Sequence, residues 1–200
     1  MAYLTEEALR DVGFKQLGVG VQLSDKASFY GVEHQVIGDH VRVDDFCVVS
    51  GSVTLGRYVH LAVQTHLEGG TAGVTFGDFS GAAFACQIFA QSDDYSGEWL
   101  GGPLGPTEYR NVDQRPIKIG RYVMIGTMCA VLPGVTIAEG CAFSAMSLVN
   151  ADTDEWGMYG GIPARRFKER SRGVVDLIEK TLQDEQDSNH RRPEPGGGML

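Results

Sequence analysis

The chain has 200 residues, 42% of them hydrophobic and 22% charged, with a net charge of −9 at pH 7. That length suits one core-forming domain with appendages, and the acidic balance excludes a generally basic surface for nucleic acid or anionic membrane. No apolar run reaches the roughly 18 residues of a membrane span, and Glu6 and Glu7 stand where a secretory leader carries basic residues. The expectation is a cytoplasmic protein without membrane insertion or a nucleic-acid partner.

Residues 1–20 read as a helical cap. Thr5 is a good N-cap, Glu6 and Glu7 suit the positive end of the helix, Leu4 and Leu9 can form a staple, and Gly13 can stop the helix.

From residue 21 an aliphatic residue recurs every six positions. One run is Ile37, Val43, Val49, Leu55, Leu61 and Leu67; a second is Phe76, Ala82 and Ile88; a third is Ile119, Ile125, Val131, Ile137, Phe143 and Val149. The fifth residue of each hexad is small or β-branched, as at Val41, Cys47, Val53, Val59, Thr65, Ser80, Cys86, Ser92, Val123, Cys129, Val135, Cys141 and Ser147. A helix of period 3.6 cannot hold positions six apart on one face, and a flat strand of period two would not single these positions out. The pattern predicts a three-sided prism with one short strand and one corner per hexad, and about 18 residues per coil. All four cysteines, Cys47, Cys86, Cys129 and Cys141, fall on the fifth position. They are expected to act as small buried hydrophobes, since none has a metal or disulfide spacing.

Three segments break the rhythm. Gly69 to Gly73 adds residues between hexads and should bulge at a corner. The segment 93–116 is a long loop carrying Tyr95, Trp99 and Tyr109. Loops of that length in compact domains are often functional, and aromatic side chains suit stacking on a sugar or a nucleotide base. The alternative is an excursion that packs on a neighbouring subunit. The third break follows Val149, where Arg165, Arg166, Lys168 and Arg170 form a compact basic cluster. The prism is therefore placed at 21–168. Val174, Leu177, Ile178 and Leu182 then mark an amphipathic helix over 169–186, expected to pack on the prism or on a partner chain. Residues 187–200, with Pro-Glu-Pro-Gly, are expected to be disordered.

The hexads, the long loop after them and the closing Gly161-Ile162-Pro163-Ala164-Arg165 resemble the left-handed β-helix acyltransferases of the hexapeptide-repeat superfamily. The resemblance covers about residues 21–170 and is greatest to bacterial sugar acetyltransferases of the galactoside and xenobiotic acetyltransferase type. The run Ser92–Gly97, SDDYSG, is similar to a subgroup found in surface-polysaccharide biosynthesis, the O-antigen of lipopolysaccharide or the capsule. The resemblance implies an all-β, left-handed parallel β-helix, a homotrimer, and acetyl-CoA as co-substrate, without a metal, in a groove between neighbouring prisms. It implies a sugar or nucleotide-linked amino sugar as acceptor, with Tyr95 and Trp99 of the loop against it.

Carried over by position, Thr127 and Ala145 line the coenzyme, Asn150 lies near it, and Arg165 and Lys168 hold its phosphates. Thr127 and Ala145 stand one coil apart and should stack on one face. A localised positive patch also suits a phosphate-rich ligand on an acidic chain.

The chain departs from the family at the base, because Asp93, followed by Asp94, stands where the family carries a histidine before the loop. His60 and His66 are the alternatives, and His60 is favoured. Asp93 would orient that histidine, bind the acceptor or act as the base itself. The chemistry implied is direct attack of an amine or a hydroxyl on the thioester, with both acceptors left open. A rival on the same prism is a metal-dependent lyase of the γ-carbonic-anhydrase kind. It is suggested by His34, His40, His60 and His66, although their pair spacing is one longer than that family uses. A non-catalytic scaffold is a third reading.

Overall fold

The computed structural model describes residues 2–103 and 105–190, without the side chains of 184–190. It divides into two units, one up to Arg170 and one from Ser171 onward. The first is a parallel β-solenoid with three faces. The first face has six strands, from Gln16–Leu17 to Thr136–Ile137. The second has eight, from Gln22–Leu23 to Arg165–Glu169. The third has six, from Ser28–Tyr30 to Leu148–Val149. Arg42 pairs with His60 and Met124 with Ala142, one 18-residue coil apart.

Every first residue of the hexads is buried, so the interior is a stack of aliphatic side chains. Burial at about 25 cal/mol per Å² of apolar surface is the main stabilising term of such a stack. The fifth residues are also buried, except Ser92. There the repeat has already given way: Gln91–Ser92 pairs antiparallel with Asp113–Gln114 and forms the root of the long loop.

Two further regularities build the corners. The fourth residue of most hexads is left-handed, including the non-glycine residues His40, Phe46, Tyr58, Gln64, Phe79, Ala85, Tyr122, Met128 and Met146; Ser52, Gln91 and Asp152 are the exceptions. That conformation costs about 1–2 kcal/mol per residue. It is offset by a bond between coils, since each of these non-glycine N–H groups donates to a carbonyl of the coil before, at the third position for all but Phe46, as in Tyr58 to Asp39, Phe79 to Arg57 and Met146 to Thr127. At the corner between first and second faces these residues also stack: His40 on Tyr58, Tyr58 on Phe79, Phe79 on Tyr122 and Tyr122 on Trp156.

The fifth residues at the corner between second and third faces donate to the second-position carbonyl of the next coil. The bonds run from Cys47 to Ala62 O (3.1 Å), Thr65 to Ala83 O (3.0 Å), Cys86 to Gly126 O (3.0 Å) and Cys129 to Ser144 O (3.1 Å). The cysteines are thus corner donors as well as small hydrophobes.

Helix α1, Glu6–Asp11, is capped by Thr5, whose hydroxyl accepts from Ala8 N–H, and it buries Leu9 against the core. The boundaries differ from those read in the sequence. The ladder already begins at Gln16–Leu17, within the segment assigned to the cap, and Arg165, Arg166 and Lys168 of the basic cluster lie on a strand that ends at Glu169, with Arg170 just beyond it. Helix α2 spans Gly173–His190, past residue 186; residues 191–200 lie outside the described residues. No helix among the described residues is long and apolar enough to cross a membrane.

Candidate active site

The long loop leaves the corner between the third and first faces and folds back as the hairpin Gln91–Ser92 with Asp113–Gln114. Between loop and third face lies a cavity of about 1160 Å³, lined by Glu68, Phe89, Gln91, Asp93, Tyr95, Arg110, Val112, Leu132 and others. It shares Ser92, Leu132 and Pro133 with a second cleft of about 520 Å³ that reaches Asn150. That cleft in turn shares Asn150, Ala151 and Asp152 with a third of about 150 Å³ that reaches Arg165. The three form one groove along the corner, from the loop to the end of the solenoid.

Asp93 faces this groove and also ties the loop. Its Oδ2 accepts from Gly102 N–H at 2.9 Å, and Arg110 Nη2 stands 3.6 Å from Oδ1. Asp94 does not line the cavity. It accepts from Ser96 N–H at 2.7 Å and from Asn111 Nδ2 at 2.8 Å. Bonds from the Ser96 hydroxyl and N–H, and from Asn111, hold its carboxyl below the usual carboxylate range. Asp94 shapes the loop. Tyr95 lines the cavity at 90% exposure, whereas Trp99 lies outside its lining.

The histidines do not converge within one chain. His60 is on the second face, its Nε2 2.9 Å from Asp44 Oδ2, and Arg42 Nε donates to Asp44 Oδ1 at 2.7 Å. Burial pushes the Asp44 carboxyl up, but the bonds from Arg42 and His60 outweigh it and the group lies below its ordinary range. An ionised carboxylate only accepts, so the Nε2 N–H of His60 donates to Asp44. His66 lies on the third face, edge-on to Phe89 at 5.7 Å, and is not among the residues that line the cavity. His40 belongs to the aromatic stack, and His34 sits in the short 3-10 turn Val32–His34.

Thr127 and Ala145 stack as expected on the corner between second and third faces, joined by Met146 N–H to Thr127 O at 2.8 Å. They lie across the third face from Asn150. The basic cluster separates into distinct roles. Arg170 turns inward and donates to the carbonyls of Tyr122, Gly140 and Cys141. Arg166 pairs with Glu169 and Asp154. Neither Arg165 nor Lys168 has an acidic partner among the described residues, which fits both to an anionic ligand.

Sequence reasoning missed Glu68, Gln91, Arg110 and Gln114. They become neighbours only because the loop folds back, and no local motif announces them.

No family model matches the chain. It is 39% identical over 180 residues to the dTDP-4-amino-4,6-dideoxy-D-glucose acyltransferase of Escherichia coli, covering 88% of this chain and 93% of the relative. Its structure superposes on AntD, an N-acyltransferase from Bacillus cereus solved with dTDP-4-amino-4,6-dideoxyglucose and coenzyme A. The TM-score is 0.89 at 39% identity, over 91% of this chain and 97% of AntD. The polysialic-acid-specific acetyltransferase NeuO shares the fold at 18% identity and a TM-score of 0.56, over 80% of each chain. The chain therefore belongs to the left-handed β-helix acyltransferases, in the family of the Escherichia coli dTDP-4-amino-4,6-dideoxy-D-glucose acyltransferase.

Proposed function

We propose that the chain transfers an acyl group from acyl-coenzyme A to the amine of a dTDP-linked 4-amino-4,6-dideoxyhexose. The observation that carries this reading is near-full-length 39% identity to two enzymes of that chemistry, joined to a groove that runs from the loop cavity to Arg165. Arg165 and Lys168 hold the coenzyme phosphates, and Asn150 lies beside the pantetheine arm. The thioester reaches the cavity where Asp93 and Tyr95 face the acceptor. The amine attacks the thioester carbonyl, the tetrahedral intermediate collapses, and the departing thiolate takes a proton.

No cysteine serves as a nucleophile. All four are buried, and burial pushes the Cys47 and Cys86 thiols up to about 11, which leaves almost no thiolate at neutral pH.

The enzyme works as a cytoplasmic homotrimer in surface-polysaccharide biosynthesis. Phe46, Phe84, Met128 and Met146 are all more than half exposed on the corner that carries Thr127 and Ala145. A neighbouring prism laid against that apolar column would bring these two residues to the coenzyme. The same neighbour is what would bring His60, fixed by Asp44, to the edge of the groove.

The test is an incubation with dTDP-4-amino-4,6-dideoxyglucose and either acetyl-CoA or 3-hydroxybutyryl-CoA, following thiol release and product mass. Thiol release that depends on the amino sugar, with an N-acyl product, is the expected result. Release only with hydroxyl sugars, or with no sugar tried, overturns the reading.

A further inference from the structure

Three carboxylates stand in or beside the cavity, and two of them are engaged. Asp93 accepts from Gly102 N–H and faces Arg110. Asp94 is tied by Ser96 and Asn111. The third, Glu68, ends the third-face strand His66–Glu68, lines the cavity and is half-buried. Among the described residues no Lys, Arg or His lies within 4 Å of it.

Among the described residues the Glu68 carboxylate has one hydrogen-bond partner. Its Oε1 accepts from Gln91 Nε2. Gln91 Oε1 accepts from Gln114 Nε2 at 3.4 Å, and Gln114 Oε1 accepts from Thr71 Oγ1 at 3.0 Å. Gln91 and Gln114 are partners in the hairpin at the loop root. The loop thus holds one oxygen of Glu68, and the residue lines the cavity.

A carboxylate of this kind answers a problem in the reaction. Near neutral pH an amine is largely protonated, and an ammonium group has no lone pair to attack with. We propose that Glu68 binds the acceptor ammonium and takes its first proton. The inference rests on the amine reading above. The freed amine bonds to the thioester carbon, the carbon–sulfur bond breaks, and the second proton goes to the coenzyme thiolate. The products are an amide and a free thiol, and the proton on Glu68 passes to solvent. Gln91 and Gln114 are positioning residues that aim the carboxylate.

The test compares Glu68→Gln and Glu68→Asp with the wild type, measuring kcat/KM for the amino sugar against pH and calorimetric affinity for acyl-CoA. Glu68→Gln should lose about 10²–10⁴-fold near neutral pH. The loss should shrink as pH rises and the amine deprotonates in solution. Glu68→Asp should recover part of the rate, and acyl-CoA affinity should be unchanged in both, which also checks folding. Wild-type rates in Glu68→Gln, a loss that does not vary with pH, or equal rates in the two variants would overturn the role of Glu68. A wild-type enzyme that does not acylate the amine would instead overturn the reading beneath it.

Discussion

Thr65→Val separates two accounts of the solenoid corner. If the fifth position asks only for a small or β-branched side chain, valine is the natural occupant, as at Val41, Val53, Val59, Val123 and Val135. The exchange would then be neutral or stabilising. The structure gives the Thr65 hydroxyl a partner in Ala83 O at 3.0 Å, and Thr65 is fully buried. Valine has the same shape, so no cavity opens and the lost bond is isolated. Leaving a buried carbonyl without its donor costs about 1–3 kcal/mol. In a chain of this size each kcal/mol moves the melting temperature by about 2–4 °C, so a fall of about 2–12 °C follows. Thermal unfolding at one fixed protein concentration measures it, because assembly would otherwise shift the midpoint. An unchanged or raised midpoint would show that the side-chain ladder contributes nothing and that size alone governs the position.

Arg165→Ala and Lys168→Ala should each weaken acyl-CoA binding by about 10–100-fold, the worth of a charge-assisted contact, and less at high salt. Arg166→Ala, whose charge is already paired, should change it little, and calorimetry decides between them. Asp44→Asn should lower stability near neutral pH, with a sign set by the depressed Asp44 carboxyl. The contribution of the ionised group is complete above the ordinary carboxylate value near 3.9 and is lost as pH falls through the lower native value. The gap between the two melting curves should therefore close between about pH 5 and pH 2; a constant gap would remove the charge from the argument.

The solenoid was legible because its interior repeats in one dimension. Each coil must bury an aliphatic residue at the same place, so the hexad survives in the sequence as a period. Its start was hidden by chemistry at one position. Gln35 is fully buried in the column that holds Val53, Val74 and Ile117. It is tolerated there because its Nε2 donates to Tyr30 O and Val49 O. A glutamine does not look like an interior residue, so the aliphatic period shows in the sequence only from Ile37 onward. The left-handed corners were invisible for a related reason. Histidine, phenylalanine, tyrosine, glutamine, alanine and methionine all occupy them, since the compensation comes from a backbone bond to the preceding coil and not from the side chain.

The site divides along the same line. The loop at 93–116 stood out as an interruption of the period, and Asp93 and Tyr95 do face its cavity. Glu68 did not stand out, because it follows Leu67 at a hexad position that elsewhere turns to solvent or packs at a corner. Only the returning strand Asp113–Gln114 converts that position into a cavity wall. The basic cluster shows the complementary effect. Four cations close in sequence are equivalent as charges, yet Arg170 is spent on three carbonyls and Arg166 on two carboxylates. A sequence states which charges a chain carries. Whether a charge is available to a ligand depends on which partners the fold places beside it, and here those partners lie on other strands. That is why a charge count alone could not separate Arg165 and Lys168 from their neighbours, and why Glu68 emerges only once Asp93 and Asp94 are seen to be engaged.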